Sequence, residues 1–136
     1  MGSKANYLED KIADHIFRTA FSAPGTIYVG LWTAALSDPS TGSTGGEVAT
    51  GTAYARMGLA QGTAQWTASS GGTVKNTAAI TFPTATADWG TITHVGLLDA
   101  ATTGNLLYWA ALDASKIVQN GDTFQFAANA LVVAEY

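Results

Sequence analysis

The two histidines are the side chains best suited to proton transfer or metal binding near neutral pH, and neither has a fitting neighbour in the sequence. His15 and His94 are far apart, no H-E-x-x-H motif contains them, and the chain has no cysteine. His94 lies within an apolar run, where a hydrogen-bonded position in a sheet is the expected role. Histidine and thiol chemistry are therefore not indicated.

The motifs of an activated serine and of a phosphate-binding loop are absent as well. The sequence contains no G-x-S-x-G, which would place a serine on a strained turn. It contains neither G-x-x-x-x-G-K-[ST] nor G-x-G-x-x-G. The glycine-rich stretch at residues 42–46 belongs to a flexible loop without a following helix, so no helix N-terminus is available to bind phosphate.

The ten carboxylates are spread along the chain. A glycosidase needs two of them across a cleft, and Asp88 and Asp99 are a pair that folding could bring together. Hydrogen bonding within turns is the expected role of Asp99, Asp113 and Asp122, because each adjoins a small or glycine-containing connector. We therefore predict no catalytic residue, no metal and no cofactor, and a protein that is not an enzyme.

The four tryptophans could stack on sugar rings, but tryptophan also fills sandwich cores and subunit interfaces. They are Trp32, Trp66, Trp89 and Trp109. We place them in the core or in an interface, and a carbohydrate platform is the alternative.

The secondary-structure elements that position these side chains are predicted to include a central β-hairpin. Apolar runs at residues 92–98 and 106–112 flank a polar, glycine-containing connector at residues 99–105. Both runs are too continuous to have one fully hydrated face. We therefore place them centrally in a sheet.

The first predicted strand is residues 26–33, TIYVGLWT. Its alternation directs Ile27, Val29 and Leu31 to one face. Tyr28 and Trp32 point to the other face.

A short internal echo relates this strand to the central hairpin. Residues 29–35 and 95–101 share the pattern V-G-L-x-x-A-A. We expect Gly30 and Gly96 to pair or to face each other, each admitting a bulky side chain.

Further short strands are predicted along the rest of the chain. They are residues 54–59, a hairpin-like excursion at 61–75, and residues 79–82, 116–118, 123–127 and 130–136. One helix followed by about eight short strands predicts an all-β fold, an antiparallel β-sandwich of which the jelly roll is one form. We expect a single domain at residues 1–136, with an N-terminal arm and helix at 1–21 and the sandwich at 26–136.

The predicted helix runs from Asn6 to about Ala20. Asn6 is a candidate N-cap, and Glu9 completes a pair resembling a capping box. One face carries three apolar residues spaced four apart, namely Leu8, Ile12 and Ile16. We expect this face to pack on its own domain, and docking on a partner is the alternative.

A long connector at residues 34–52 is rich in Ser, Thr and Gly and is expected to be exposed and mobile. Asp38 and Pro39 initiate a turn within it. We interpret the connector as an adaptable contact loop between subunits. A solvated loop without a functional role is the alternative.

The composition favours assembly. Hydrophobic residues make up 47% of the chain, whereas charged residues make up 12%, about half the usual share. Much of the surface is therefore expected to be covered by copies of the chain or by a larger assembly, and the alternative is a monomer hydrated by Thr, Ser, Asn and Gln.

A net charge of −4 and six scattered basic residues argue against nucleic-acid binding. No secretory signal and no apolar run long enough to span a membrane are visible.

The chain also resembles a family of small tailed-bacteriophage virion proteins that are labelled tail fibre proteins. The resemblance rests on eight short stretches: residues 5–12 (ANYLEDKI), 15–20 (HIFRTA), 28–31 (YVGL), 33–35 (TAA), 80–83 (ITFP), 89–94 (WGTITH), 104–108 (GNLLY) and 120–122 (NGD). It implies a structural protein of the particle and transfers no catalytic residue.

Together, the resemblance and the composition lead us to favour a capsid decoration or cement protein. It would clamp neighbouring capsomers through its loop, its helix or both, and add buried interface to the shell. The alternative is a tail-fibre or tail-associated module that binds other tail proteins or host-surface glycans, and a small glycan-acting enzyme is a distant third.

The expected partners are the major capsid protein or tail proteins and further copies of the chain, with a trimer favoured and neither nucleic acid nor membrane involved. The expected location is the virion, with the capsid surface favoured and the tail as the alternative, after synthesis in the host cytoplasm. The candidate partner-contact residues are Tyr7, Leu8, Ile12, Asp38, Pro39, Glu47 and Trp66.

Overall fold

The computed structural model describes residues 3–135 and contains, within them, one helix and nine strands. The elements are β1 (Ser3–Lys4), α1 (Asn6–Phe17), β2 (Thr26–Trp32), β3 (Met57–Ala60), β4 (Thr73–Lys75), β5 (Ile80–Thr81), β6 (Gly90–Leu98), β7 (Leu106–Val118), β8 (Gln125–Phe126) and β9 (Val132–Ala134). The predicted arm includes Met1 and Gly2, and the last predicted strand includes Tyr136. These three residues lie outside the described part.

A five-stranded antiparallel sheet in the order β1-β7-β6-β2-β3 forms one layer of the fold. The two-stranded ribbons β4–β9 and β5–β8 supply the other strands. This arrangement confirms the predicted all-β sandwich with an N-terminal helix. The central hairpin is confirmed as β6 and β7, and each of these strands has a neighbour on both sides.

Strand β7 is longer than the sequence predicted. The predicted separate strand at 116–118 is wrong, because these residues are the end of β7. Lys116 pairs with Ile92 and Val118 with Gly90 after a register shift between Ile92 and His94. The irregularity lets one long strand follow β6 over its whole length.

The larger hydrophobic core lies between the main sheet and the ribbons. Val29 and Leu31 of β2 pack there with Val95 and Leu97 of β6, as the alternation of the first strand predicted. Five aromatic rings complete this core through stacked and edge-on contacts, namely Tyr54, Phe82, Trp89, Phe124 and Phe126.

A second, smaller core covers the opposite face of the main sheet. Trp32 and Leu98 are fully buried there and pack with Leu106. Ala5, just before α1, and Leu36, in the long connector, close over them. The sheet is therefore covered on both faces, which explains the continuous apolar runs of its central strands.

The glycine echo corresponds to a direct pairing. Gly30 lies opposite Gly96 in the register between β2 and β6, which confirms the expectation drawn from the repeated pattern. A Cβ atom added at Gly30 would lie 2.8 Å from Cζ3 of Trp32, and one at Gly96 would lie 3.1 Å from the same atom. The two glycines thus make room for one buried indole ring.

The start of α1 differs from its prediction. The N-cap is Ala5, which makes no side-chain capping bond, so the prediction of Asn6 as N-cap is wrong. The Ala5 N–H donates to the Leu107 carbonyl at 2.8 Å, and the Asn6 N–H donates to the Asp38 carbonyl at 2.7 Å. Pairing of β1 with β7 buries Ala5 at the sheet, which makes Asn6 the first helical residue.

The end of α1 also comes earlier than predicted. The helix ends at Phe17 rather than near Ala20. The N–H groups of Arg18 and Thr19 both donate to the Asp14 carbonyl, and the Phe21 N–H donates to Nδ1 of His15. The chain therefore turns back immediately after Phe17.

Candidate functional site

Five of the seven candidate contact residues lie in one region of the molecule. Tyr7, Leu8 and Ile12 belong to α1, which the Asp38 carbonyl joins to the long connector. The Asp38 carboxylate also accepts a 2.9 Å hydrogen bond from Nε1 of Trp109. Glu47 and Trp66 have other neighbours, so the predicted set divides into three places.

The apolar face of α1 is covered only at its beginning. Leu8 is buried, whereas the exposed fraction rises from 37% at Ile12 to 67% at Ile16. Phe17, the last residue of the helix, is 83% exposed. Coverage of this face, which we predicted to pack on its own domain, is therefore complete at Leu8, partial at Ile12 and least at Ile16.

The segment after α1 runs back along the helix. Thr19 and Phe21 line a shallow cleft together with Tyr7 and Lys11. The Lys11 ammonium lies 5.6 Å from the centre of the Tyr7 ring, within the range of a cation–π contact. Ile16 and Phe17, which we call the helix tip, therefore stand at the far end of a hairpin made by α1 and this return segment.

Arg56 fastens the long connector to the sheet. Its guanidinium makes two hydrogen bonds to the Glu47 carboxylate, from Nε at 2.7 Å and from Nη2 at 2.8 Å. It also donates to three backbone carbonyls, those of Gly42, Ala100 and Thr103, at 2.9 to 3.0 Å. Arg56 is 8% exposed and the Glu47 side chain is 22% exposed, so in this clamp solvent is excluded from the guanidinium and reaches only part of the carboxylate.

The Arg56 clamp uses Glu47 for an internal contact, and its role as a partner contact stays a prediction. The connector is bonded elsewhere too, since the Val48 N–H donates to the Leu31 carbonyl at 3.1 Å. Nε1 of Trp32 donates to the Thr44 carbonyl at 3.1 Å. The mobility predicted for residues 34–52 is not tested by these bonds and also stays a prediction.

Tyr54 lies beside the clamp in a largely buried position. Its hydroxyl donates to Oε2 of Glu47 at 2.6 Å and accepts a 3.0 Å hydrogen bond from the Leu31 N–H. Burial, followed by the hydrogen bond to the Glu47 carboxylate, raises the pKa of Tyr54 well above its usual value. The folded protein therefore holds Tyr54 in its neutral form.

This raised pKa predicts a loss of stability in alkali. Above about pH 10, Tyr54 ionises in the unfolded chain but keeps its proton in the folded one, so the folded state binds more protons. The free energy of unfolding then falls by up to about 1.4 kcal/mol per pH unit for this tyrosine. Urea denaturation at a series of alkaline pH values should show a shallower decline for Tyr54→Phe than for the wild type, and equal slopes would contradict the prediction.

An apolar pocket of about 340 Å³ opens between the main sheet and the β4–β9 ribbon. Ile27, Leu97 and Tyr108 line it from the sheet, and Val74 and Val133 line it from the ribbon. Trp66 forms a further wall. Its indole N–H has no hydrogen-bond partner and is closed off from the solvent-accessible space of this Trp66 pocket.

Tyr108, which lines this pocket, is bonded to Glu135. The Tyr108 hydroxyl donates to the Glu135 carboxylate, which also pairs with Lys4 of β1. Burial and this carboxylate raise the pKa of Tyr108 above its usual value. These polar groups are occupied with one another.

The residues considered for catalysis have structural contacts. Nδ1 of His94 lies 2.9 Å from Oγ1 of Thr93 within β6, which confirms a hydrogen-bonded position in the sheet. Asp99 accepts hydrogen bonds from the backbone and side-chain nitrogens of Asn105 across the hairpin connector, as predicted for turn chemistry. Asp113 lies in β7 rather than in a turn, because β7 continues to Val118.

Residues 3–135 contain no group of three or more His, Asp or Glu side chains placed to hold a metal ion. In that same range, no helix combines the length and the apolar character that crossing a bilayer requires.

The protein is thus a small β-sandwich with one helix, and the apolar side chains at the end of this helix are exposed. Residues 3–134 match the family model described as podophage GP4 fiber I protein gp80. The match covers nearly the whole chain, so the chain belongs to this family of phage fibre proteins. No curated protein sequence matches the chain.

Family membership confirms the resemblance drawn from the sequence. It makes the chain a structural protein of a phage virion, associated with other virion proteins. Sequence reasoning placed Ile16 on an apolar face, but it could not show that Ile16 and the neighbouring Phe17 are exposed. It missed Arg56, for which the only signal was a lone arginine within an otherwise uncharged stretch at residues 48–74.

Proposed function

We propose that the chain is a non-enzymatic subunit of the phage fibre that works by packing against neighbouring virion proteins. The observation that carries this proposal is the uncovered apolar surface of α1, from Ile12 to the helix tip. A helix held at its first turn by the sheet, with large apolar side chains exposed at its end, is suited to fill an interface. The family match supports the fibre as its location.

A capsid decoration protein is the second candidate, favoured by the 12% charged residues and by the size of a single compact sandwich. Such a subunit would stabilise the shell by adding interface between capsomers. Host-glycan binding has less support, because Trp32 and Trp89 are buried and Trp66 and Trp109 are half-buried. Sugar-binding platforms need an exposed ring.

Copy number in purified virions tests the proposal and separates the two candidates. We expect far fewer copies of this chain than of the major capsid protein, measured by quantitative mass spectrometry with isotope-labelled peptides from both. A fibre attached at the tail would be present in few copies, whereas decoration proteins would cover the shell. A copy number comparable to that of the capsid protein would overturn the fibre proposal in favour of decoration, and absence from virions would overturn both.

A further inference from the structure

The turn between β7 and β8 contains the only asparagine of the chain that a glycine follows, Asn120 before Gly121. The Gln119 carbonyl accepts from the Asp122 N–H at 2.9 Å, and Gly121 has a φ of +92°, as in a type II turn. Asn120 and Gly121 are both exposed. Since glycine has no Cβ to block an approach to its own nitrogen, this pair is the place where the backbone can most readily attack an asparagine side chain.

The reaction open to such a pair is deamidation through a cyclic imide. The backbone nitrogen of Gly121 attacks Cγ of Asn120 and forms a new N–C bond. The bond between Cγ and Nδ2 breaks, and ammonia leaves with the proton that the Gly121 nitrogen gives up. Water then opens the ring at one of its two carbonyls, which leaves an aspartate or an isoaspartate at position 120. Solvent water is the only other reactant.

The fold restrains this attack, because it engages the attacking nitrogen in a hydrogen bond. The Gly121 N–H donates to the Ala85 carbonyl at 2.8 Å, and the Ala85 N–H donates to the Asp122 carbonyl at 2.9 Å. Ala85 is 2% exposed and belongs to the larger core, so both bonds have a fixed base. The Asn120 N–H is held as well, by Oδ1 of Asp88 at 2.9 Å. The nitrogen therefore reaches the side chain only when the turn opens.

We propose that Asn120 is a deamidation site whose rate is set by the opening of the hydrogen bond from Gly121 to Ala85. An exposed turn opens locally at a lower free energy than the whole domain unfolds. The site therefore reacts slowly in the folded protein, while the rest of the chain stays folded. The proposal concerns the lifetime of the subunit rather than its partner, and it is independent of the proposed function.

Deamidation weakens the fold at this turn. The isoaspartate product has one more methylene in the main chain, so Gly121 and Asp122 cannot both keep their bonds to Ala85. Either product also places a second carboxylate near Asp88, where like charges repel. The modified chain, separated by anion exchange through its added negative charge, should unfold at a lower urea concentration than the unmodified chain.

Mass spectrometry of the full chain, aged at neutral pH in buffer and in guanidinium chloride, tests the proposal. Trypsin releases residues 117–136 as one peptide, and digestion at mildly acidic pH avoids further deamidation. Conversion of Asn120 should be at least about tenfold slower in the folded protein than in the denatured one. Asn129 in the same peptide precedes an alanine and should stay unmodified, which makes it the internal reference. Equal rates at Asn120 in the two states, or no conversion in either, would overturn the proposal.

Amide hydrogen exchange shows whether the same opening controls both processes. Exchange of the Gly121 N–H also requires its bond to Ala85 to open. Its slowing in the folded protein, measured by NMR, should match the slowing of deamidation to within about threefold. A well-protected Gly121 N–H together with rapid deamidation would contradict the proposed control.

Three variants of the full chain test the contacts of the turn. Asp88→Ala removes the acceptor of the Asn120 N–H and should speed exchange and deamidation by about threefold to tenfold. Asp88→Asn removes the charge but keeps an acceptor oxygen, so it should stay close to the wild type. Asp113→Ala is the matched control, since Asp113 is also exposed but lies in β7 outside this turn. No acceleration in Asp88→Ala, or the same acceleration in Asp88→Asn or Asp113→Ala, would overturn the proposal.

Discussion

Arg56→Ala is expected to lower the free energy of unfolding by about 3–5 kcal/mol, the largest effect we predict. The substitution leaves the Glu47 carboxylate, whose side chain is only 22% exposed, without its bidentate partner. It also removes the donor of three backbone carbonyls and the guanidinium that lies 5.8 Å from the centre of the Trp32 ring. A loss of this size is a large part of the 5–15 kcal/mol typical of a domain.

Urea denaturation of the wild type and of two arginine variants checks this result. Arg18→Ala is the matched control, because Arg18 also pairs with a carboxylate but is 76% exposed, at 3.6 Å from Asp14. Its cost should stay within about 0.5 kcal/mol. Arg56→Lys should be intermediate, since lysine keeps the charge but cannot make the forked contact. Equal costs for Arg18→Ala and Arg56→Ala would show that the clamp does not stabilise the fold.

The Arg56 clamp also shows where sequence reasoning ends. The connector at residues 34–52 reads as mobile because its composition is polar and rich in glycine. Its partners include the Arg56 guanidinium and the Trp32 and Trp109 indoles, and composition contains no information on where such groups meet. The same holds for Asn76, which is fully buried and bonds to residues 78, 127 and 131. Long-range polar contacts of this kind leave no periodic signal.

Local periodicity, in contrast, predicted the centre of the fold well. The alternation of β2 placed Val29 and Leu31 in one core and Trp32 in the other. The two apolar runs and their connector predicted the β6–β7 hairpin. Each of these patterns reports on neighbours that are close in sequence, whereas the pairing of β4 with β9 joins segments that are distant in the chain.

For the candidate site, the sequence predicted the apolar face of the helix but not which of its residues are exposed. The spacing of Leu8, Ile12 and Ile16 marks an apolar face but does not say what covers it. The structure shows the cover decreasing from buried Leu8 through Ile12, which is 37% exposed, to Ile16, which is 67% exposed. Asn6 failed as an N-cap for a related reason, since burial of Ala5 against the sheet decided where the helix begins.

The repeated V-G-L pattern leads to the second large effect, an expected loss of about 2–3 kcal/mol for Gly30→Ala. The new methyl group would lie 2.8 Å from the Trp32 ring and 3.2 Å from both Glu47 Oε2 and Leu98 Cδ1. The indole is fully buried, so it cannot move aside without disturbing the smaller core. Gly45→Ala is the matched control, because a Cβ there meets no atom within 4 Å.

A double-mutant cycle identifies the cause of that loss. Trp32→Leu removes the ring that the new methyl group would strike, so Gly30→Ala should cost clearly less in the Trp32→Leu background than in the wild type. Trp32→Leu alone is destabilising because it leaves a cavity, and the comparison is therefore made within each background by urea denaturation. Purely additive costs would mean that Gly30 is required for some reason other than the ring. A large coupling energy would show that Gly30 is needed because a side chain there would strike the Trp32 ring. The paired glycines at positions 30 and 96 would then explain why the pattern V-G-L occurs twice in the sequence.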